Sequence, residues 1–155
     1  MRKLLLTVAV VAAAGLVVVA TGAALDVPPS YQGITPVVFA GNPDCKDLTG
    51  WVDPSRTYSR QLKFVLPVNG ASGGGINVTI APNSAGDGIG WYVLNNESVH
   101  AVIVKGGSSA NVYFYPAHAE GDFTDGSMTT PGTLQKGKWK FPTLSYMEFC
   151  YFPGA

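Results

Sequence analysis

A chain of 155 residues with ten basic and ten acidic side chains, and only 13% charged residues, lacks the basic excess that nucleic acid demands, so no nucleic-acid partner is expected. Its 19 glycines and 11 prolines suit an all-β domain with many turns better than a helical one. Setting aside the leader described next leaves eight basic against ten acidic residues over roughly 130 positions, enough for one adequate core.

Met1, Arg2 and Lys3 precede an uncharged apolar run from Leu4 to Ala20, the layout of a secretory signal. Small residues follow at Thr21, Gly22, Ala23 and Ala24. Signal peptidase needs small side chains three and one positions before the cut, which places cleavage after Ala23 or Ala24 and assigns residues 1–24 to a signal peptide. The alternative is an uncut anchor, because the run sits at the short edge of what can span a bilayer; the membrane is a partner only in that case. The expectation is a secreted, extracellular protein.

Residues 25–43 hold Pro28, Pro29, Pro36 and Pro43 among Gly33 and Gly41, which disfavours helix and reads as an extended entry arm to a single domain over 44–155. Strands are expected at Gln61–Leu66, at the alternating Ile76, Val78 and Ile80, and at Ile89–Leu94, separated by turn clusters at 69–75 and 82–88. The glycine run 70–75 lacks the Lys and Ser or Thr of a phosphate loop and reads as a turn. Val99–Val104 and Asn111–Tyr115, joined through Gly106 and Gly107, form the strongest local signal, an antiparallel hairpin. Both faces of Val99–Val104 are largely apolar, as in a central strand. Residues 117–137 read as a long polar loop, and a last strand is expected from about Thr143 to Phe152. The fold class expected is an all-β, antiparallel β-sandwich or jelly-roll-like domain.

Chemistry-bearing residues are sparse. His100 sits among apolar strand residues and reads as structural, and His118 as a solvated loop side chain. No Gly-x-Ser-x-Gly elbow or triad spacing supports a hydrolase. Glu120, Asp122 and Asp125 alternate in a glycine-containing loop, the donor type calcium takes, but without EF-hand spacing; solvated carboxylates are the expectation and a calcium site the lesser reading. A glycosidase pair from the same carboxylates has nothing to fix its separation. No metal or cofactor is expected. Trp91, Trp139 and Tyr113 are the candidates for stacking on a ligand, against a background in which most aromatics pack the core. Asn77 and Asn96 match the N-glycosylation acceptor pattern.

The two cysteines, Cys45 and Cys150, lie near the two ends of the mature chain. In an oxidising compartment such a pair forms a disulfide, the alternatives being buried free thiols or half of a metal site, for which no further ligands stand nearby.

Four segments in order, Ala40-Gly41-Asn42-Pro43-Asp44-Cys45, Ala101-Val102-Ile103-Val104-Lys105-Gly106-Gly107, Ala110-Asn111-Val112-Tyr113-Phe114-Tyr115 and Phe149-Cys150-Tyr151, resemble an uncharacterised family of secreted bacterial β-rich domains with GNxxC, VIVKGG, NVYxY and FCY motifs. The resemblance spans roughly residues 40–152. It implies architecture and a bridge between Cys45 and Cys150, and it brings no activity. The family pattern has a His after the serine that matches Ser145, where this chain has Tyr146, and Thr124-Asp125-Gly126-Ser127 replaces its S-D-x-G-L loop. Any catalytic use of that His is therefore lost here.

The function expected is a non-enzymatic structural or adhesive module of the cell surface or extracellular space, whose partner is an envelope or extracellular polymer or a second copy of itself. A carbohydrate-binding module built on surface aromatics is the alternative, and a hydrolase using the acidic loop comes third.

Overall fold

The computed structural model describes residue 27, residues 29–51, residue 58, and residues 60–65, 67–80, 88–95, 97–115, 122 and 124–152. The leader at 1–24, Asn96, His118 and Glu120 lie outside the described residues.

Among the described residues the fold is all-β, with eleven strands and no helix: β1 (Val37–Ala40), β2 (Arg60–Val65), β3 (Ser72–Gly73), β4 (Ile76–Ile80), β5 (Ile89–Val93), β6 (Ala101–Gly106), β7 (Ser109–Phe114), β8 (Thr124–Met128), β9 (Thr133–Gln135), β10 (Lys138–Lys140) and β11 (Leu144–Tyr151). They pair antiparallel into a five-stranded sheet in the order β1-β7-β6-β11-β2, a four-stranded sheet β3-β4-β5-β8 and the ribbon β10-β9. One core joins the two larger sheets: Ile76, Val78, Trp91 and Met128 from the smaller pack with Val102, Val104, Tyr113, Met147 and Phe149 from the larger. Each sheet hides its apolar face against the other, the arrangement of a sandwich.

The apolar run Ala-Val-Ile-Val becomes the central strand β6, buried along its whole length. Its two faces serve different cores. Val102 and Val104 face the inter-sheet core, while Ala101 and Ile103 face a second cluster on the outer side of the large sheet. Alternation slips at each end of this region. Val99 packs with Val102 and Val104, because the chain bends at His100 before β6 begins. Leu144 turns to the inner core, because the register of β11 against β6 shifts between Leu144 and Tyr146.

Two expectations are corrected. The arm at 25–43 supplies β1 as an edge strand, with Val37 to Ala40 paired to Val112 to Ser109. The loop at 117–137 contains β8 and the β9–β10 ribbon. β8 reads as loop because it carries Asp, Gly and Ser, yet the buried Asp125 carboxylate is fully engaged. Its Oδ2 accepts the Tyr115 hydroxyl at 2.8 Å, and its Oδ1 accepts the backbone N–H of Gly126 at 2.7 Å and of Gln32 at 3.1 Å. These bonds replace the water a carboxylate loses on burial and dock the arm onto β8.

Three hairpins turn through two residues each. Gly74 and Gly75 both have positive φ (52° and 83°), as do Lys136 and Gly137 (51° and 73°), the pattern of a type I′ turn. Between β6 and β7 Gly107 alone has positive φ (61°), as in type II′.

The segment after β1 folds back over the outer face of the large sheet. The Cys45–Cys150 disulfide fixes it there across 105 residues of sequence, as the resemblance implies. Leu48 is fully buried in the same outer cluster as Ile103 and Val112, which contributes roughly 1.5–3 kcal/mol. The Tyr146 hydroxyl donates to the Pro43 carbonyl at 2.6 Å. Glu148, wholly buried, accepts the Cys45 N–H at 3.3 Å and pairs with Lys63 Nζ at 2.9 Å. Lys63 also sits 3.8 Å from the centre of the Tyr146 ring.

Candidate functional site

The residues singled out in the sequence separate into interior and surface. Trp91 and Tyr113 are 1% and 0% exposed, so neither can stack on a ligand, and that expectation is corrected for both. The cause is strand phase. Trp91 alternates inward while its neighbour Tyr92 faces out, and Tyr113 of β7 and Tyr115 just beyond it both enter the inter-sheet core. Tyr113 instead bonds to the Thr129 backbone, accepting its N–H at 2.9 Å, and burial raises its hydroxyl pKa. Tyr115 is raised well above the usual value by burial and then by the Asp125 carboxylate.

Of the acidic trio, Asp125 points inward as described, Asp122 pairs by a backbone bridge with Val99, and Glu120 is outside the described residues. Among the described residues no group of three metal-ligating side chains converges. His100 is buried beside Phe152, their ring centres 4.5 Å apart, and its Nδ1 accepts the Phe152 N–H at 3.5 Å. It bonds to the framework next to the disulfide strand.

Trp139 is the one stacking candidate that reaches the surface region, in β10. The ribbon register pairs Trp139 with Leu134 on one face and sets Lys138 and Lys140 opposite Gln135 and Thr133 on the other. Trp139 and Phe141 stack with centres 6.0 Å apart and planes 22° apart, and both rings lie against Gly132, where an added Cβ would come within 2.7 Å of Phe141 and 3.0 Å of Trp139. Glycine is what lets the ribbon fold this closely onto the chain that precedes it.

The polar face of the ribbon forms one wall of a cleft of about 350 Å³. Thr133, Gln135 and Lys140 line that wall, continued by Phe141 and Pro142, and Gly107, Ser108 and Ser109 of the β6–β7 turn line the opposite side. Close packing builds the cleft floor. A Cβ on Gly106 would lie 2.7 Å from both Cβ and Cγ2 of Thr130 and 3.1 Å from Pro142. Thr130 in turn donates its hydroxyl to the Pro142 carbonyl at 2.8 Å. The two glycines of the Val-Lys-Gly-Gly segment are thus what allow the turn to seat against this bend.

Among the residues that line the cleft, Lys140 is the one charged side chain. From Ser127 to Met147 the chain carries Lys136, Lys138 and Lys140 and no acidic residue. Behind the turn lies Lys105, only 3% exposed, whose ammonium donates to the Gly107 carbonyl. Sequence reasoning missed this site because its walls come from two hairpins distant along the chain; the run of three lysines without an acid was the available signal. The chain was compared with protein-family models, with curated proteins and with solved structures, and nothing matches.

Proposed function

We propose that the chain is an exported, non-enzymatic adhesive module, delivered by a signal peptide at 1–24 and acting outside the cell as a disulfide-closed β-sandwich that holds an envelope or extracellular polymer. The observation that carries this reading is the cleft between the β6–β7 turn and the β9–β10 ribbon, a small open concavity between two hairpins. The buried charged groups support it. Asp125 anchors the arm, Glu148 the disulfide segment and Lys105 the cleft turn, so each is committed to holding the frame.

A carbohydrate-binding role is the second reading, favoured by Phe141, which lines the cleft with hydroxyl and amide side chains and carries the Trp139 ring stacked on it. Incubating the mature protein with isolated envelope polymer, and separately measuring its self-association, tests the proposal. Saturable retention on polymer supports it; a monomer that binds no polymer overturns it.

A further inference from the structure

Resting on that adhesive reading, we infer that the cleft recognises a carboxylated polysaccharide, with Lys140 taking the carboxylate of a uronate-type sugar. The size comes first. About 350 Å³ is at the small end of ligand sites and suits one or two units of a polymer.

The walls then select among polymers. Ser108, Ser109 and Thr133 bring hydroxyls and Gln135 an amide, groups that both donate and accept and so match the hydroxyls of a sugar. Phe141 and Pro142 add flat apolar surface for the C–H face of a pyranose ring. A neutral sugar would need no more than this.

The charge makes the further demand. Lys140 lies in the cleft wall, Lys138 is two residues before it on the same ribbon face, and the Lys105 ammonium stands behind the Gly107 carbonyl. No acidic residue lines the cleft and none lies between Ser127 and Met147, so Lys140, with Lys138 beside it, favours an anion. The mature chain carries a slight negative excess overall, so the basic character is local to this site. A concave, hydroxyl-lined cleft favours a carboxylated glycan over a lipid surface, which would meet a protruding apolar face edged with lysine.

The test is affinity electrophoresis of the mature protein in gels containing polygalacturonate, its methyl-esterified form, or dextran, with anionic phosphatidylserine vesicles assayed by sedimentation. Retardation by polygalacturonate that exceeds the ester and dextran, and that weakens as salt is raised, is the expected result. K140Q should weaken it about tenfold, the scale of one hydrogen bond to a charged group, and K140R should restore most of it. K46Q, which makes the same charge change at an exposed turn away from the cleft, should leave it unchanged.

Equal binding to the neutral polymers, or equal loss in K46Q and K140Q, overturns the inference and leaves the adhesive reading standing. Vesicle binding without glycan binding overturns it in favour of a membrane. Binding to none of these while envelope polymer still retains the protein rejects the carboxylate alone, and loss of envelope retention as well rejects both. Lys140 is exposed, so an unchanged melting curve for each variant shows that folding is not what the assay reads.

Discussion

Replacing both cysteines, Cys45→Ala with Cys150→Ala, isolates what the disulfide contributes. The bond closes a loop of about a hundred residues, for which the chain-entropy model gives about 4.7 kcal/mol. Both cysteines are buried, so deleting the sulfurs also leaves a small void. Part of the loss is recovered because the segment keeps other attachments: the Tyr146 hydroxyl on Pro43, the Cys45 N–H on Glu148, and Leu48 in its pocket. A net loss of about 3–5 kcal/mol is expected, within the usual range for a native bridge. For a domain whose whole stability is on the order of 5–15 kcal/mol, the variant is folded but marginal. Urea unfolding followed by tryptophan fluorescence measures the loss as a fall of about 2 M in the midpoint. Trp51 stacks on Phe114 at the end of the clamped segment, their centres 5.9 Å apart, and reports its release. A loss under about 1 kcal/mol would refute the reasoning, since the outer segment would then hold its place without the bridge.

Other outcomes follow from single features. Gly106→Ala drives a methyl into Thr130 and should cost about 1–3 kcal/mol; adding Thr130→Ser removes one of the two clashing carbons and should recover part, measured by denaturant midpoint. Lys136→Asn places at φ +51° a residue that tolerates the left-handed region, and should stabilise the ribbon by about 0.5 kcal/mol in thermal melts. Burial pushes Tyr58 up to about 12, and burial followed by the Glu148, Asp44 and Asp47 charges does the same for Tyr146. The fold therefore favours the neutral phenols: their contribution is complete below the ordinary tyrosine value near 10 and is lost as pH rises from there towards 12. Unfolding free energy that stays flat from about pH 9 to about pH 12 would contradict this.

What could be read from the residues depended on whether local pattern and tertiary demand agreed. The β6–β7 hairpin was legible because an apolar run meets Gly-Gly and then a second alternating run, and the structure forms it with Gly106 opposite Ser109. The type of fold followed from the spacing of such runs. β8 was not legible, because its stability lies in Asp125 meeting Tyr115, Gln32 and Gly126, partners that no local pattern announces. The ribbon escaped because its turn is Lys-Gly where Asn-Gly or Asp-Gly would have signalled a hairpin, and β1 because prolines on either side obscured four extended residues. Trp91 and Tyr113 show the limit for site residues: an aromatic on a strand is core or platform according to phase, and the phase of β5 and β7 is set by sheet packing. The cleft itself joins residues 106–109 to 131–142 and exists only once both hairpins have folded.

The account stands most directly on intact-mass analysis of the protein eluted from the envelope polymer of cells that produce it. It predicts a mature chain beginning at Ala24 or Leu25, lighter by two hydrogens than the reduced form, recovered from the polymer and released by salt. Full-length chain confined to the membrane, or mature chain recovered entirely free of polymer, would contradict it.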